Sequence, residues 1–279
     1  MPRTILITGC SSGIGRSTAH FFANKGWNVV ATMRTPEKET ELNLLPNVLV
    51  CHLDVTDSES IKNAIEAGIV KFEKIDVIVN NAGFAVGGPF ETASEDQIKK
   101  QFETNVFGLM NCTREILPHF RNNQSGVIIN VASMGGRVSF PYFSLYHATK
   151  WAVDGYSESL QYELQNFGIK VKIIEPGAIK TDFYGRSQIS SLDFDKTDEV
   201  TTAYTNPYQK IKTQFDKAGT GGSDSTLVAK TIWKAANSNN NKLRYTAGLD
   251  AKIILFLKWI LPNRFLFWIL QKLTNTIVK

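Results

Sequence analysis

The 279-residue sequence predicts an α/β fold: a doubly wound parallel sheet with helices on both faces, in one domain. Three observations carry the prediction. Short Val- and Ile-rich runs recur along the chain without strict alternation, as strands buried on both faces do. Segments of helical period separate them, which is the pattern of βαβ units. A glycine-rich turn follows the first run. The composition agrees, since 43% hydrophobic and 20% charged residues exclude a disordered or collagen-like chain.

The elements follow in order. Residues 4–8 (TILIT) form the first strand, and a helix runs from the glycines to Lys25, where Gly26 stops it. Strands at 28–32 (NVVAT), 48–52 (VLVCH) and 77–80 (VIVN) come next. Before the last of these, Ile61, Ala64, Ile65, Gly68 and Phe72 fall on one helical face, and Thr56-x-x-Glu59 predicts a capping box. Two further strands, 127–132 (VIINVA) and 170–175 (KVKIIE), flank a helix predicted over 145–167. That helix carries apolar residues on more than one face, one for the sheet and another for a second subunit. Residues 182–224 lose the alternation and read as a loop-and-helix insert. A helix near 225–236, a polar loop at 237–242 and a last strand near 243–246 complete a domain of residues 1–250. Residues 251–279 form an apolar, basic helical tail of the same domain.

Charge and cysteine usage narrow the function. The net charge is +5, and the tail holds Lys252, Lys258, Arg264, Lys272 and Lys279 with no acidic residue. The 31 basic residues less those five leave 26 against 26 acidic ones, so the body is neutral. Nucleic-acid binding, which wants a basic stripe across the fold, is not expected. Cys10, Cys51 and Cys112 lie far apart, which argues against a disulfide scaffold or a cysteine zinc site and for a reducing, cytoplasmic setting. The N-terminus has no secretory signal pattern. His20, His52, His119 and His147 show no ligand spacing, so no metal is expected.

The first strand ends in Thr8-Gly9-Cys10-Ser11-Ser12-Gly13-Ile14-Gly15-Arg16. Glycines in a strand-to-helix turn allow close backbone approach and aim helix N–H groups at an anion, here a dinucleotide phosphate. No Lys-Ser/Thr follows, so it is not a Walker loop. Ala31-Thr32-Met33-Arg34 ends the second strand where an NAD site would place a carboxylate. A guanidinium stands there instead, suited to a 2′-phosphate, with Arg16 as a second positive group. NADP, with NADPH preferred over NADH, is the expected cofactor.

Tyr146 and Lys150 are four residues apart and share a helical face. Ser133 ends the strand VIINVA, and Asn80-Asn81-Ala82-Gly83 ends the strand before it at the same edge, where α/β sheets place their crevice. Reducing a ketone needs a hydride from the cofactor and a proton for the developing alkoxide. A free phenol titrates near pH 10, and a nearby ammonium is expected to lower it towards neutrality. Ser133 can hold the substrate oxygen. A second pair, Tyr208–Lys212, lies in the insert and reads as surface structure, and His147 should be structural.

With those motifs in place, the chain resembles the short-chain dehydrogenase/reductase family, single-domain branch, over residues 3–250. TGCSSGIG matches its TGxxxGxG, NNAG at 80–83 its stabilising motif, and Ser133, Tyr146 and Lys150 its Ser and YxxxK. The resemblance implies a Rossmann-type fold, a catalytic Asn105 holding a water in a proton relay, and Asp54-Val55 flanking the adenine. It also implies that Asn81, Ala82 and Gly83, with Pro176, Gly177, Ile179 and Thr181, border the cofactor. The ATxR-like stretch at Ala31 to Arg34 is similar to the hydroxysteroid- and retinol-dehydrogenase-like subgroup. That implies an NADP-linked enzyme interconverting a ketone or aldehyde and an alcohol on a hydrophobic, steroid-, retinoid- or lipid-like molecule, working as a homodimer or homotetramer.

Substrate choice is expected from loops at 84–90, 134–143 and from Phe183 onward, with Arg137 either an anion contact or a surface group. In the tail, Lys252 and Lys258 fall on different helical faces, so no clean amphipathic stripe is expected. The tail reads as a lid, a subunit contact or a peripheral membrane patch, in that order. Two alternative classes are a non-catalytic NADP-binding sensor or scaffold, and a membrane-surface interaction protein. The presence of both Tyr146 and Lys150 weighs against the first.

Overall fold

The structure, a computed structural model, describes residues 2–184 and 187–274. Strands β1 (Thr4–Ile7), β2 (Asn28–Met33), β3 (Val48–His52) and β4 (Val77–Asn80) alternate with helices α1 (Gly13–Asn24) and α2 (Ser58–Phe72). After a short β5 (Ala85–Gly87) come α3 (Glu95–Phe102), a π-helical segment Glu103–Gly108, α4 (Leu109–Asn122) and β6 (Gly126–Val131). Helix α5 (Ser144–Leu164) leads to β7 (Ile169–Pro176), then to the short β8 (Ile179–Lys180) and β9 (Gln188–Ser190). Helix α6 (Glu199–Thr220), β10 (Ser223–Asp224), α7 (Ser225–Ala236), β11 (Arg244–Ala247), α8 (Leu249–Ile260) and α9 (Asn263–Leu273) complete the chain.

Seven strands form one parallel sheet in the order β11-β7-β6-β4-β1-β2-β3, as the unalternating apolar runs predict. Successive residues of each strand feed opposite cores. Ile5, Ile7, Val77 and Val79 pack under α1 and α7, where Phe22 meets Trp27 and Trp233 edge-on at 5.1 Å each. Leu6 and Ile78 face α2, α4 and α5, packing with Ile61, Ile116, Phe120 and Leu160. The chain winds from β1 outward to β3 and then returns to place β4 on the other side of β1. That reversal opens a crevice at the carboxyl ends of β1 and β4.

Several local expectations are corrected. Helix α2 is capped by Asp57, whose carboxylate accepts from the Glu59 N–H, and not by Thr56. The Thr56 hydroxyl donates to Asp54 instead, at 2.8 Å, because the nearer carboxylate outcompetes the helix end. The helix expected to reach residue 167 ends at Leu164, and a 3₁₀ turn to Phe167 closes on Gly168 at φ +68°. Tyr208 is not surface structure: it is fully buried on α6, while Lys212 pairs with Asp216 at 2.7 Å. The insert is stapled to the body at both ends, since β9 pairs with β5 and β10 with β8. The tail folds as the hairpin α8–α9, broken at Leu261-Pro262, and Lys279 lies outside the described residues.

Candidate active site

The glycine turn after β1 has the conformation an anion cradle requires. Gly9 and Gly13 hold φ of +74° and +57°, which side chains disfavour. A Cβ on Gly15 would lie 2.2 Å from the Gly9 carbonyl and 2.6 Å from Asn81 Nδ2. Ser12 precedes α1 without a side-chain cap, so the first N–H groups of the helix stay available, and Ser11 is exposed beside them. Ile14 packs partly into the core below.

Side chains from the neighbouring strands fix this turn. Asn81 Nδ2 donates to the carbonyls of Thr8 and Gly9 at 2.8 and 3.2 Å. In return the Thr8 hydroxyl accepts from the Asn81 and Ala82 amides at 2.9 and 3.0 Å. Gly83 sits against Asn105. From β7, Pro176 and Gly177 lead to a turn in which Ala178 donates to Asp250 at 2.6 Å, and Thr181 comes to rest against Gly13. Ile179 is buried in the core. Asp54 caps its own loop through the Thr56 amide, and Val55 packs under Gly108. The roles of Thr8 and Asp250 leave no pattern in the sequence, because their partners are backbone atoms brought by other strands.

The two arginines differ. Arg34 is exposed and has no ion-pair partner among the described residues. Arg16, expected to face a 2′-phosphate, is instead paired with Glu39 and, at 2.9 Å, with Glu41. Glu39 is buried and also accepts from the amides of Glu41 and Leu42, at 2.9 Å each. Those contacts hold its carboxyl down at about 2 against the opposing effect of burial, so Arg16 is committed to bracing the 39–42 turn.

Ser133, Tyr146 and Lys150 converge. Ser133 lies beside the Tyr146 hydroxyl, and the Ser133 oxygen accepts from the Gly135 amide at 3.0 Å. The buried Lys150 ammonium donates to the Val131 carbonyl at 2.8 Å and lies 5.7 Å from the Tyr146 ring centre. The expected electrostatics are reversed, however. Burial pushes the Tyr146 hydroxyl upward despite the neighbouring Ser133 hydroxyl, and burial brings Lys150 down to about 8. The phenol therefore stays protonated through the neutral range.

The lowered lysine costs the fold stability in a pH-dependent way. Unfolded, Lys150 titrates near 10.5 and folded near 8. The penalty is therefore fully present below pH 8 and is lost as pH rises towards 10.5. It amounts to about 3 kcal/mol, offset in part by the bond to Val131. Lys150→Met is accordingly expected to gain about 1–2 kcal/mol of stability at pH 7, with the gain shrinking above pH 8. Thermal melts at pH 7 and pH 10 check this, and a variant that is less stable at pH 7 refutes it.

Asn105 is buried, and its side chain is tied into the surrounding backbone. Its amide is spent on the Phe84 carbonyl and amide, at 2.8 and 3.0 Å, and on the Thr149 hydroxyl at 3.2 Å. It lies in the π-helical segment, a local irregularity that often marks functional sites, and it ties α5 to the 84–90 loop. His147 is structural as expected, joined to the Gly135 carbonyl and the Phe140 amide at 2.8 Å each. Arg137 pairs with the buried Glu175 at 3.5 Å. Phe183 covers Tyr146, with ring centres 5.8 Å apart, and Phe215 of α6 closes on Phe143 at 4.5 Å. Tyr142 holds a left-handed φ of +62°, a strained setting beside the site.

A nucleotide cradle at the switch point, beside a serine, tyrosine and lysine, defines a nicotinamide-dependent oxidoreductase of the α/β class. The pattern of the short chain dehydrogenase family matches residues 3–190, and the chain belongs to that family. It is an NAD(P)-dependent dehydrogenase or reductase. The 3-ketodihydrosphingosine reductase of Bacteroides thetaiotaomicron is 34% identical over 265 residues, covering 94% of each chain. Retinol dehydrogenase 8 of Bos taurus is 33% identical over 282 residues, covering 95% of this chain and 88% of that one. A short-chain dehydrogenase from Streptomyces avermitilis superposes with a TM-score of 0.80 at 33% identity, covering 92% of both chains. ElxO with NADP bound gives 0.70 at 29% identity, covering 88% of this chain and 98% of that one.

Proposed function

We propose that the protein interconverts a ketone or aldehyde and an alcohol on a hydrophobic substrate, with NADP as cofactor and Tyr146 as the acid or base. The convergence of Ser133, Tyr146 and Lys150 at the carboxyl ends of β6 and α5's first turns carries the reading. The residues present fit a dinucleotide. Gly9, Gly13 and Gly15 leave the space that side chains would fill, and free helix N–H groups face it. With the cofactor bound, Asn81, Ala82, Gly83, Gly177 and Thr181 would border it, and Asp54 and Val55 would flank its adenine. When bound, NADPH supplies the hydride.

The chain's own groups do the rest. Ser133 orients the carbonyl oxygen beside the Tyr146 hydroxyl, which hands over its proton as negative charge develops on that oxygen. Lys150 places an ammonium behind the phenol to steady the phenolate that remains. Asn105 is a positioning residue that holds α5 in register. Phe183 and Phe215 shed water and favour an apolar substrate, in keeping with the lipid and retinoid named in two relatives. Arg34 supports NADP over NAD through the 2′-phosphate. Exposed Trp151 and Tyr162 on α5 support a homodimer or homotetramer, and the tail supports peripheral membrane contact.

A screen of apolar ketones, aldehydes and alcohols, read by absorbance of the reduced cofactor, tests the reading. NADPH consumption with apolar carbonyls is expected, and nucleotide binding without turnover on any of them would favour the sensor class. Gly15→Ala is expected to lose nucleotide binding and about 2 kcal/mol of stability, because its Cβ has no room against Gly9. Fluorescence titration with NADPH and a thermal melt check both effects.

A further inference from the structure

We infer that the outward face of the α8–α9 hairpin is a docking surface for an anionic phospholipid bilayer. The inference deepens the peripheral contact within the proposed function and rests on it. The inner side of the hairpin is satisfied: Leu255, Leu266 and Leu270 pack on Val138. The outer side is not. Leu249, Ile253, Phe256 and Ile260 are spaced four, three and four residues apart, so they share one face of α8, and all are exposed. Beside them Trp259 is 78% exposed, and on α9 Phe265, Phe267 and Trp268 are open to solvent. Aromatic side chains of this kind settle at the level of lipid headgroups.

Of the two lysines expected on different faces of the helix, Lys252 borders this stripe, whereas Lys258 lies on the opposite side of α8. Its ammonium turns inward, donating to the Arg137 carbonyl and lying 4.6 Å from the Trp151 ring centre. The remaining tail cations, Lys252, Arg264 and Lys272, are exposed, and residues 251–279 contain no Asp or Glu. An apolar face with cations and no carboxylates complements an anionic bilayer. A second copy fits it poorly, because a two-fold contact would set the same cations against each other with no acid from the tail to meet them. No helix among the described residues is long and apolar enough to cross a membrane, so the hairpin would lie in the interface. Val138 and Phe140, on which it rests, belong to the 134–143 segment beside the crevice. Docking therefore brings that crevice next to the phase that dissolves apolar substrates.

The full chain is floated with vesicles of phosphatidylcholine alone and with phosphatidylglycerol added, at low and high salt. Recovery with the phosphatidylglycerol vesicles is expected to exceed that with phosphatidylcholine alone, and to fall at high salt. Phe256→Ser with Trp259→Ser, and separately Lys252→Glu with Lys272→Glu, should each lower partitioning by at least about tenfold. Equal recovery on both vesicles, or variants that partition like the parent, overturns the inference. So does a parent dimer that the Phe256→Ser, Trp259→Ser protein converts to monomer, which would assign the face to a second copy. NADPH binding and oxidation are measured on the same preparations. Vesicle binding can then fail while turnover persists, which separates this inference from the oxidoreductase reading.

Discussion

Tyr146→Phe is expected to lower kcat for carbonyl reduction by about 10³-fold while leaving the affinity for NADPH within about twofold. The substitution removes one oxygen, the one that carries the transferred proton, and leaves the half-buried ring against Phe183 in place. Steady-state kinetics with a fluorescence titration of NADPH provide the check, and a loss of less than about tenfold would place the proton donor elsewhere. The raised hydroxyl gives the parent enzyme a directional pH dependence. Protonated through neutrality, Tyr146 is competent as an acid for reduction, whereas alcohol oxidation needs the phenolate. Oxidation rates should therefore climb with pH across the alkaline range while reduction stays level near pH 7. Parallel profiles in the two directions would contradict that assignment.

Arg34→Glu is expected to weaken NADPH by roughly 10²-fold and to leave NADH nearly unchanged. The guanidinium stands at the end of β2, exposed and without an ion-pair partner among the described residues, so its removal disturbs no internal contact. The replacement also sets a carboxylate against a 2′-phosphate, which adds repulsion to the lost attraction. Because the contact is exposed, the discrimination should narrow as salt rises. Equal losses for both nucleotides would mean that the 2′-phosphate binds elsewhere. Arg16→Ala should behave differently: with Glu39 left buried and unpaired, stability falls first. The same structural contact explains why two arginines that look alike in the sequence are separated here.

The strand runs, the glycine turn and the Tyr146–Lys150 spacing were legible because each follows a local rule. A strand covered on both faces must be apolar throughout, a cradle must lack side chains, and residues four apart must share a helical face. Contacts between distant segments were not legible. Nothing local in Thr8 points to the Asn81 and Ala82 amides, and nothing in Asp250 points to Ala178. Tyr208 looks like a polar surface residue in the insert until α6 folds it beneath Phe194 and Tyr142.

By itself the sequence determined the parallel, doubly wound sheet and the edge at which the reactive groups gather, since hydrophobic period and glycine placement depend only on neighbours along the chain. The tertiary structure decided how those groups are electrically set. Burial, which no local pattern encodes, raised the Tyr146 hydroxyl and lowered Lys150. It likewise decided that Arg16 serves Glu39, and that Lys258 turns inward, away from the exposed apolar face of α8. In each case a long side chain had more than one reach, and only the packed partners selected among them.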